Sequence, residues 1–433
     1  MFPVKTILSF CLLSLLLLPR AVAADAYADE SVRPLELEHQ MHFARTSGDT
    51  VGLDIRLSHA SLSLRSHPKE YGKLGGRLSS HDSEQTLSHA YGAKGYVQKA
   101  AQIHAQRLAD GLPADGIFFR EREVFVRRAD TVAVSFLERN LIHEGGPSLT
   151  GDLHSVYGRN IDTASGKYLT LPDVFPDAEG LAAAIARQLR RDYPDTSFGD
   201  NLEAAVFHCL QEGDNLITSR HGGTYVAEGN EGVGTWTLEP RGATFYFNPP
   251  GLGPGRAGIY CTTLLFAEHP QLFREKYRRG PASYAIELMP GLPVRTTVGK
   301  GKKPAVGIYE TSAGPYLSFG PMRYQSTPAE DIRPTLVCLA DGRCYLYVDA
   351  RMDNANPAKR ELRIFSVQDK GITCQADTRH TLFSYGARGL KYNVLTDPEH
   401  FLLSEGTPQK GQKETPAFTC QAGKDGLPER LEP

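Results

Sequence analysis

Few residues of this chain have types and spacings that could do chemistry. His143 and Glu144, beside Gly145-Gly146, form an acid–base couple at a strand end, a place that equally suits a solvated surface pair. Asp162 and Asp173 offer carboxylates, but each stands where a turn or helix start uses a short acceptor. Gly251-Leu252-Gly253-Pro254-Gly255 has the glycine content of a phosphate cradle; Pro250, Pro254 and the lack of a following Lys-Ser/Thr make it a turn cluster. Trp236 and Phe245-Tyr246-Phe247 have faces that could stack on a sugar or fill a core. No G-x-S-x-G, H-E-x-x-H or P-loop occurs, and no C-x-x-C spacing suggests zinc. The expectation is a chain with no catalytic residue, no metal and no cofactor. Recognition is then left to two Gly- and Pro-dense loops that follow strands, Gly145–Gly151 and Asn248–Gly258. Gly145, Gly146, Asn248, Gly253 and Arg256 are the candidate ligand residues, the alternative being two ordinary connections.

The element that must position those loops lies between them, Tyr157 to Phe175, YGRNIDTASGKYLTLPDVF. Val156 to Asp162 alternates as a half-buried strand does. Thr163-Ala164-Ser165-Gly166 is a turn, since Gly166 takes a positive φ cheaply and Asp162 and Ser165 can bond nearby backbone. Lys167 to Leu171 is expected to return as a strand. Pro172 and Pro176 stop the extension, and Asp177 is a helix N-cap.

Ile161, Asp162, Ser165, Gly166, Lys167, Leu169, Thr170, Leu171, Asp173 and Phe175 form a long, specific pattern. It resembles the signature of an extracytoplasmic domain of unknown function. That domain occurs in lysozyme-sensing anti-sigma factors of the RsiV type and, as an accessory domain, in peptidoglycan deacetylases of the PdaC type. Phe245, Phe247, Pro249, Pro254 and Gly258 fit a second segment of that family. Where the family carries Gly-Gly-Ala-His, this chain has Gly145-Gly146-Pro147-Ser148. The resemblance implies a non-enzymatic binding module of the cell envelope, its ligand a protein such as lysozyme or a peptidoglycan fragment. The alternative is an envelope hydrolase or deacetylase; its metal centre needs a carboxylate and paired histidines, and only His380 and His400 lie beyond residue 290.

Export is expected on independent grounds. Lys5, the apolar run Ile7 to Leu18 and the small-residue site Ala21-Val22-Ala23 make residues 1–23 a cleavable signal peptide, too short to span a bilayer. No later segment is apolar enough to cross a membrane, so a periplasmic or secreted product is expected. A net charge of −2 with 23% charged residues gives no bias toward nucleic acid, and the basic run Gly299 to Lys303 reads as a solvated loop. After Cys11 departs, Cys209, Cys261, Cys338, Cys344, Cys374 and Cys420 remain. Cys338 and Cys344 fall opposite each other across a hairpin turn at Ala340-Asp341-Gly342 and are expected to be bonded. Segregation along the chain would pair Cys209 with Cys261 and Cys374 with Cys420.

The expected fold class is α+β: antiparallel sheets with a few packed helices, followed by a β-rich C-terminal domain. Residues 24–143 read as an N-terminal α+β region, weakly PdaC-like. It has strands within Leu35–Leu64, a loop over Ser66–Gly92, a helix over Gly95–Ala109, and a strand pair at Ile117–Val126 and Asp130–Ile142. Residues 144–280 form the RsiV-type domain. Helices are expected at Ala178–Asp192 and Asn201–Glu212, strands at Thr235–Leu238, Ala243–Phe247 and Ile259–Phe266, and a short helix at Glu268–Tyr277. Gly and Pro gather around 278–293, and residues 290–433 read as short strands, including His380–Ser384, with a polar tail.

Overall fold

The computed structural model describes residues 26–47, 54–112, 116–144, 153–218, 233–252, 258–297, 305–309, 316–319, 322–325, 331–351, 360–368, 371–374, 395–404, 417–424 and 426–431. The fold is α+β, and its C-terminal part is built of strands.

The first sheet runs β1 (Leu37–Ser47), β2 (Asp54–Leu64), β3 (Ile117–Ala129), β4 (Ala133–Glu144) and β5 (Leu153–Asp162), neighbours in that order. All pairs are antiparallel except β2 with β3. Parallel neighbours need a crossover. Here it is one helix, α1 (Gly72–Ala109), which occupies most of the stretch expected to be a loop. The reading of Ser66–Gly92 as irregular is therefore wrong. Leu74, Leu78, His81 and Gln85 are all buried, at helical spacing, but two of the four are polar, so the stripe does not read as hydrophobic. Gly111, at φ +65, closes the helix, and Leu112 N–H returns to the Arg107 carbonyl.

The strand return expected at Lys167–Leu171 is a single bridge, Ile161 to Tyr168. Leu171 instead opens a short helix, α2 (Leu171–Val174), held by a Thr170–Asp173 capping box. Next come α3 (Ala178–Asp192), capped by the Asp177 side chain on Gly180 N–H, and α4 (Leu202–Thr218). Both pack on the antiparallel sheet of β6 (Gly234–Glu239), β7 (Gly242–Phe247) and β8 (Tyr260–Leu265). Leu181, Ile185, Leu189, Val206, Leu210, Trp236, Phe245 and Phe175 share this core. The short helix expected at Glu268–Tyr277 is two 3-10 turns, Pro270–Leu272 and Glu275–Arg278.

The two sheets pack together where β6 lies against β3, β4 and β5 of the first. Gly158 of β5 lies so close to β6 that an added Cβ would overlap the Trp236 carbonyl. Asn160 Nδ2 donates to that carbonyl (2.9 Å), and Leu238 N–H donates to Asn160 Oδ1 (2.7 Å). A bulge in β3 at Val126/Arg128 accompanies two buried guanidiniums: Arg127 pairs with Glu239, and Arg128 with Asp130.

A third, antiparallel sheet has the order β17-β16-β15-β14-β9. Its members are β9 (Tyr284–Glu287), β14 (Asp331–Cys338), β15 (Cys344–Arg351), β16 (Arg360–Gln368) and β17 (Gly371–Cys374). Two small sheets flank it: β10 (Val294–Arg295) to β13 (Met322–Gln325) through β11 (Ala305–Tyr309) and β12 (Tyr316–Phe319), and β18 (His400–Ser404), β19 (Ala417–Ala422) and β20 (Pro428–Arg430). The Cys338–Cys344 disulfide joins registered positions of β14 and β15, Cα atoms 4.2 Å apart. The Cys209–Cys261 pairing is not present. Cys209 keeps its thiol, donating to the Gly251 carbonyl (3.3 Å), while Cys261 Sγ faces the Pro293 carbonyl (3.6 Å). Cys420 is buried, and the Cys374 side chain lies outside the described residues, as does the expected strand His380–Ser384.

Candidate functional site

The turn of the central signature is a structural joint. Gly166 sits at φ +67, and an added Cβ would overlap the Lys73 carbonyl at the start of α1. Arg77 Nε donates to the Gly166 carbonyl (3.0 Å). Asp162 Oδ1 accepts from Ser165 N–H (2.9 Å), and its other oxygen pairs with Lys276 and accepts from Tyr277 Oη (3.3 Å). Asp162 and Asp173 are thus turn and cap acceptors.

Beyond the turn, the same segment walls a cleft. Leu171 and Pro172 of α2, Ala178, Leu181 and Ala182 of α3, and Phe207 and Leu210 of α4 give it an apolar lining. Gln211, Asp214 and Asn215 supply its polar edge, and its volume is about 230 Å³. Phe207 stays 36% exposed there. Asp214 accepts Leu171 N–H with both carboxylate oxygens (3.0 and 2.9 Å), which ties α4 to α2. Burial raises the Asp214 carboxyl to about 6; the Leu171 N–H opposes the rise and Asp173 adds to it. An acid that changes charge near neutrality, at the edge of an apolar cleft, is a feature of recognition and acid–base sites alike.

A second grouping lies under α1. His81 spans the Tyr168 hydroxyl (2.8 Å) and the buried Glu138 carboxylate (2.9 Å), and Arg159 Nε donates to Glu138 (3.1 Å). Burial works against ionisation of Glu138, but His81 and Arg159, with Arg122 behind them, outweigh it and hold the carboxyl far below its ordinary range. Burial pushes the Tyr168 phenol up to about 12. His42, His59 and Asp82 lie in the same half of the molecule, with ligand atoms within 4.8 Å of one another.

The residues singled out from the sequence fall elsewhere. His143 is buried and stacked on Phe119 (4.9 Å), and Glu144 pairs with Lys99 (2.8 Å). Trp236, Phe245, Tyr246 and Phe247 are core. Asn248 is buried, its amide bonded to the Val156 N–H and carbonyl (2.9 Å each), so it holds strands together rather than facing a ligand. Gly145, Gly146, Gly253 and Arg256 lie outside the described residues. Of the cleft residues the sequence singles out only Leu171, as part of the signature; Phe207, a turn away from Leu210 and Gln211 on α4, is marked by an exposure that only the fold reveals.

No family model matches the chain, and no curated protein matches it. Among solved structures, a member of the DUF3298 family from Bacteroides fragilis is similar at 15% identity and a TM-score of 0.38, over 56% of this chain and 96% of that one. A DUF3298 family protein from Pseudomonas aeruginosa is similar at 13% identity and a TM-score of 0.35, over 57% of this chain and 98% of that one. Among the described residues, no helix is long and apolar enough to cross a membrane.

Proposed function

We propose that this chain is an exported binding module of the cell envelope that seats an apolar group of its ligand in the cleft between α2, α3 and α4. The observation that carries the reading is the cleft itself: an apolar lining with polar groups at one edge, the composition of a recognition pocket. Its volume, about 230 Å³, suits one or two side chains of a larger partner better than a free drug-sized molecule. Export is supported by the signal-like first 23 residues. The resemblance to RsiV-type and PdaC-type domains supports a protein such as lysozyme, or a peptidoglycan fragment, as the ligand. Leu171 and Pro172 belong to the resembling segment and also line the cleft, so the two lines of support fall on the same residues.

The test is capture by the immobilised mature chain, beginning at Ala24, of envelope proteins, peptidoglycan fragments and lysozyme. Ala178 is exposed at the first position of α3, so Ala178→Trp places an indole at the cleft mouth without disturbing the core. The expected result is capture by the parent chain and its loss in the variant, with unchanged circular dichroism. Capture that ignores Ala178→Trp would put the site elsewhere, and hydrolysis of peptidoglycan by the intact chain would favour the enzyme reading.

A further inference from the structure

We infer that His42, His59 and Asp82 form a binding site for one divalent transition-metal ion of the zinc class. The site shares no residue with the cleft and stands independently of the binding reading.

The backbone brings the three together from distant positions. The β1–β2 register sets His42 directly opposite His59, and their rings stack with centroids 4.5 Å apart. Asp82, on the α1 helix that crosses this sheet, places Oδ1 3.4 Å from His42 Nε2 and 3.8 Å from His59 Nε2. Ligand atoms bound to one tetrahedral ion at zinc bond lengths stand roughly 3.4 Å apart. The cluster is therefore within a few tenths of an ångström of that spacing on two sides, as a rough estimate.

Hydrogen bonding among the described residues does not account for the position of the Asp82 carboxylate. Asp82 Oδ1 is buried and has no hydrogen-bond partner within normal geometry among the described residues, although two imidazole nitrogens face it at 3.4 and 3.8 Å. Ser61 and Thr86 hydroxyls now stand 3.2 and 3.1 Å from the two Nε2 atoms; rotation about χ1 frees those positions for an ion.

The donor set names the class of ion. Two imidazoles and one carboxylate suit zinc and its neighbours, whereas calcium and magnesium prefer all-oxygen shells. Three protein ligands leave a fourth position for water or for an atom of a bound molecule. His42, with a side chain 40% exposed, lies at the entry. Arg122, registered opposite His59 on β3, is a positive charge that acts against a cation. Its buried Nη1 has no hydrogen-bond partner among the described residues, nor has either end of the Gln85 amide, one turn along α1 from Asp82.

The experiment uses the full mature chain without a tag, stripped with a chelator. Zn²⁺ is titrated by calorimetry, and Co²⁺ is added in parallel to read ligand-field absorption. The expected result is one ion per chain, a raised melting temperature, and a four-coordinate cobalt spectrum. Asp82→Asn and His42→Gln, at half-exposed positions, are each expected to weaken binding by more than roughly ten-fold, beyond the loss that outer-shell changes begin to cause. Their ion-free melting temperatures should match the parent. Failure of the stripped chain to bind Zn²⁺ would overturn the inference. So would undiminished binding by the Asp82→Asn/His42→Gln double variant, which would mark an adventitious ion only.

Discussion

Helices cover sheets in two places in this molecule, with opposite materials. Under α3 and α4 the contact is dry: Leu181, Ile185, Leu189, Val206 and Leu210 share a core with Trp236, Leu238, Phe245 and Leu264. Under α1 the middle is polar. Leu74 and Leu78 join one apolar cluster and Tyr96 and Ala100 another, and the same helix presents His81, Asp82 and Gln85 between them. The strands beneath carry His59, Arg122, Glu138 and Arg159, all buried. Dry packing depends on volume and tolerates small changes. Buried charge depends on partners, and removing one leaves the others uncompensated.

That contrast sets the size of each expected effect. Glu138→Ala strands His81 and Arg159 without their anion and should cost about 3–5 kcal/mol in urea unfolding. A loss near that of a simple methyl deletion would show the polar layer to be no more demanding than the dry one. Gly166→Val forces a β-branched residue to a positive φ against the Lys73 carbonyl and should cost about 3 kcal/mol, read as a fall in melting temperature. An unchanged melting temperature would remove the joint between the signature turn and α1. In the dry layer, Ile185→Val removes one methylene and should cost about 1 kcal/mol.

The smallest effect concerns Asp214, which borders the dry layer and the cleft. Its folded value of about 6 lies above the ordinary carboxyl value, so the folded chain holds the proton more tightly than the unfolded one. Stability from this group is therefore present at about pH 4 and lost as pH rises through about 6. The residue is half-exposed, and after discounting for solvent screening the change should be about 1 kcal/mol. Asp214→Asn should flatten that part of the pH profile of urea unfolding; a profile identical to the parent's would assign the dependence to another group.

The dry layer was readable from residue types and the polar one was not, for the same physical reason. Leu181, Ala184, Ile185 and Leu189 repeat at helical spacing behind the Asp177 cap, and the helix spans the stretch that this pattern marks out. In α1 the stripe passes through His81, whose buried partners Glu138 and Tyr168 lie far along the chain, and through the polar Gln85, and Ser and Gly residues are frequent in its first half. The parallel β2–β3 pairing that calls for this crossover is a tertiary fact with no local signal. Cysteines divide similarly. Cys338–Cys344 follows from a local hairpin register, whereas pairing Cys209 with Cys261 by segregation had no register behind it. The cleft draws its walls from three helices, so only their packing assembles it.

Hydrogen–deuterium exchange on the full mature chain, alone and saturated with its captured partner, tests the cleft most directly. The account predicts slowed exchange on binding over residues 171–182 and 207–215, the segments that line the cleft, with the sheet of β9 and β14–β17 unchanged. Slowing confined to that C-terminal sheet, with the cleft segments exchanging as in the free chain, would contradict it.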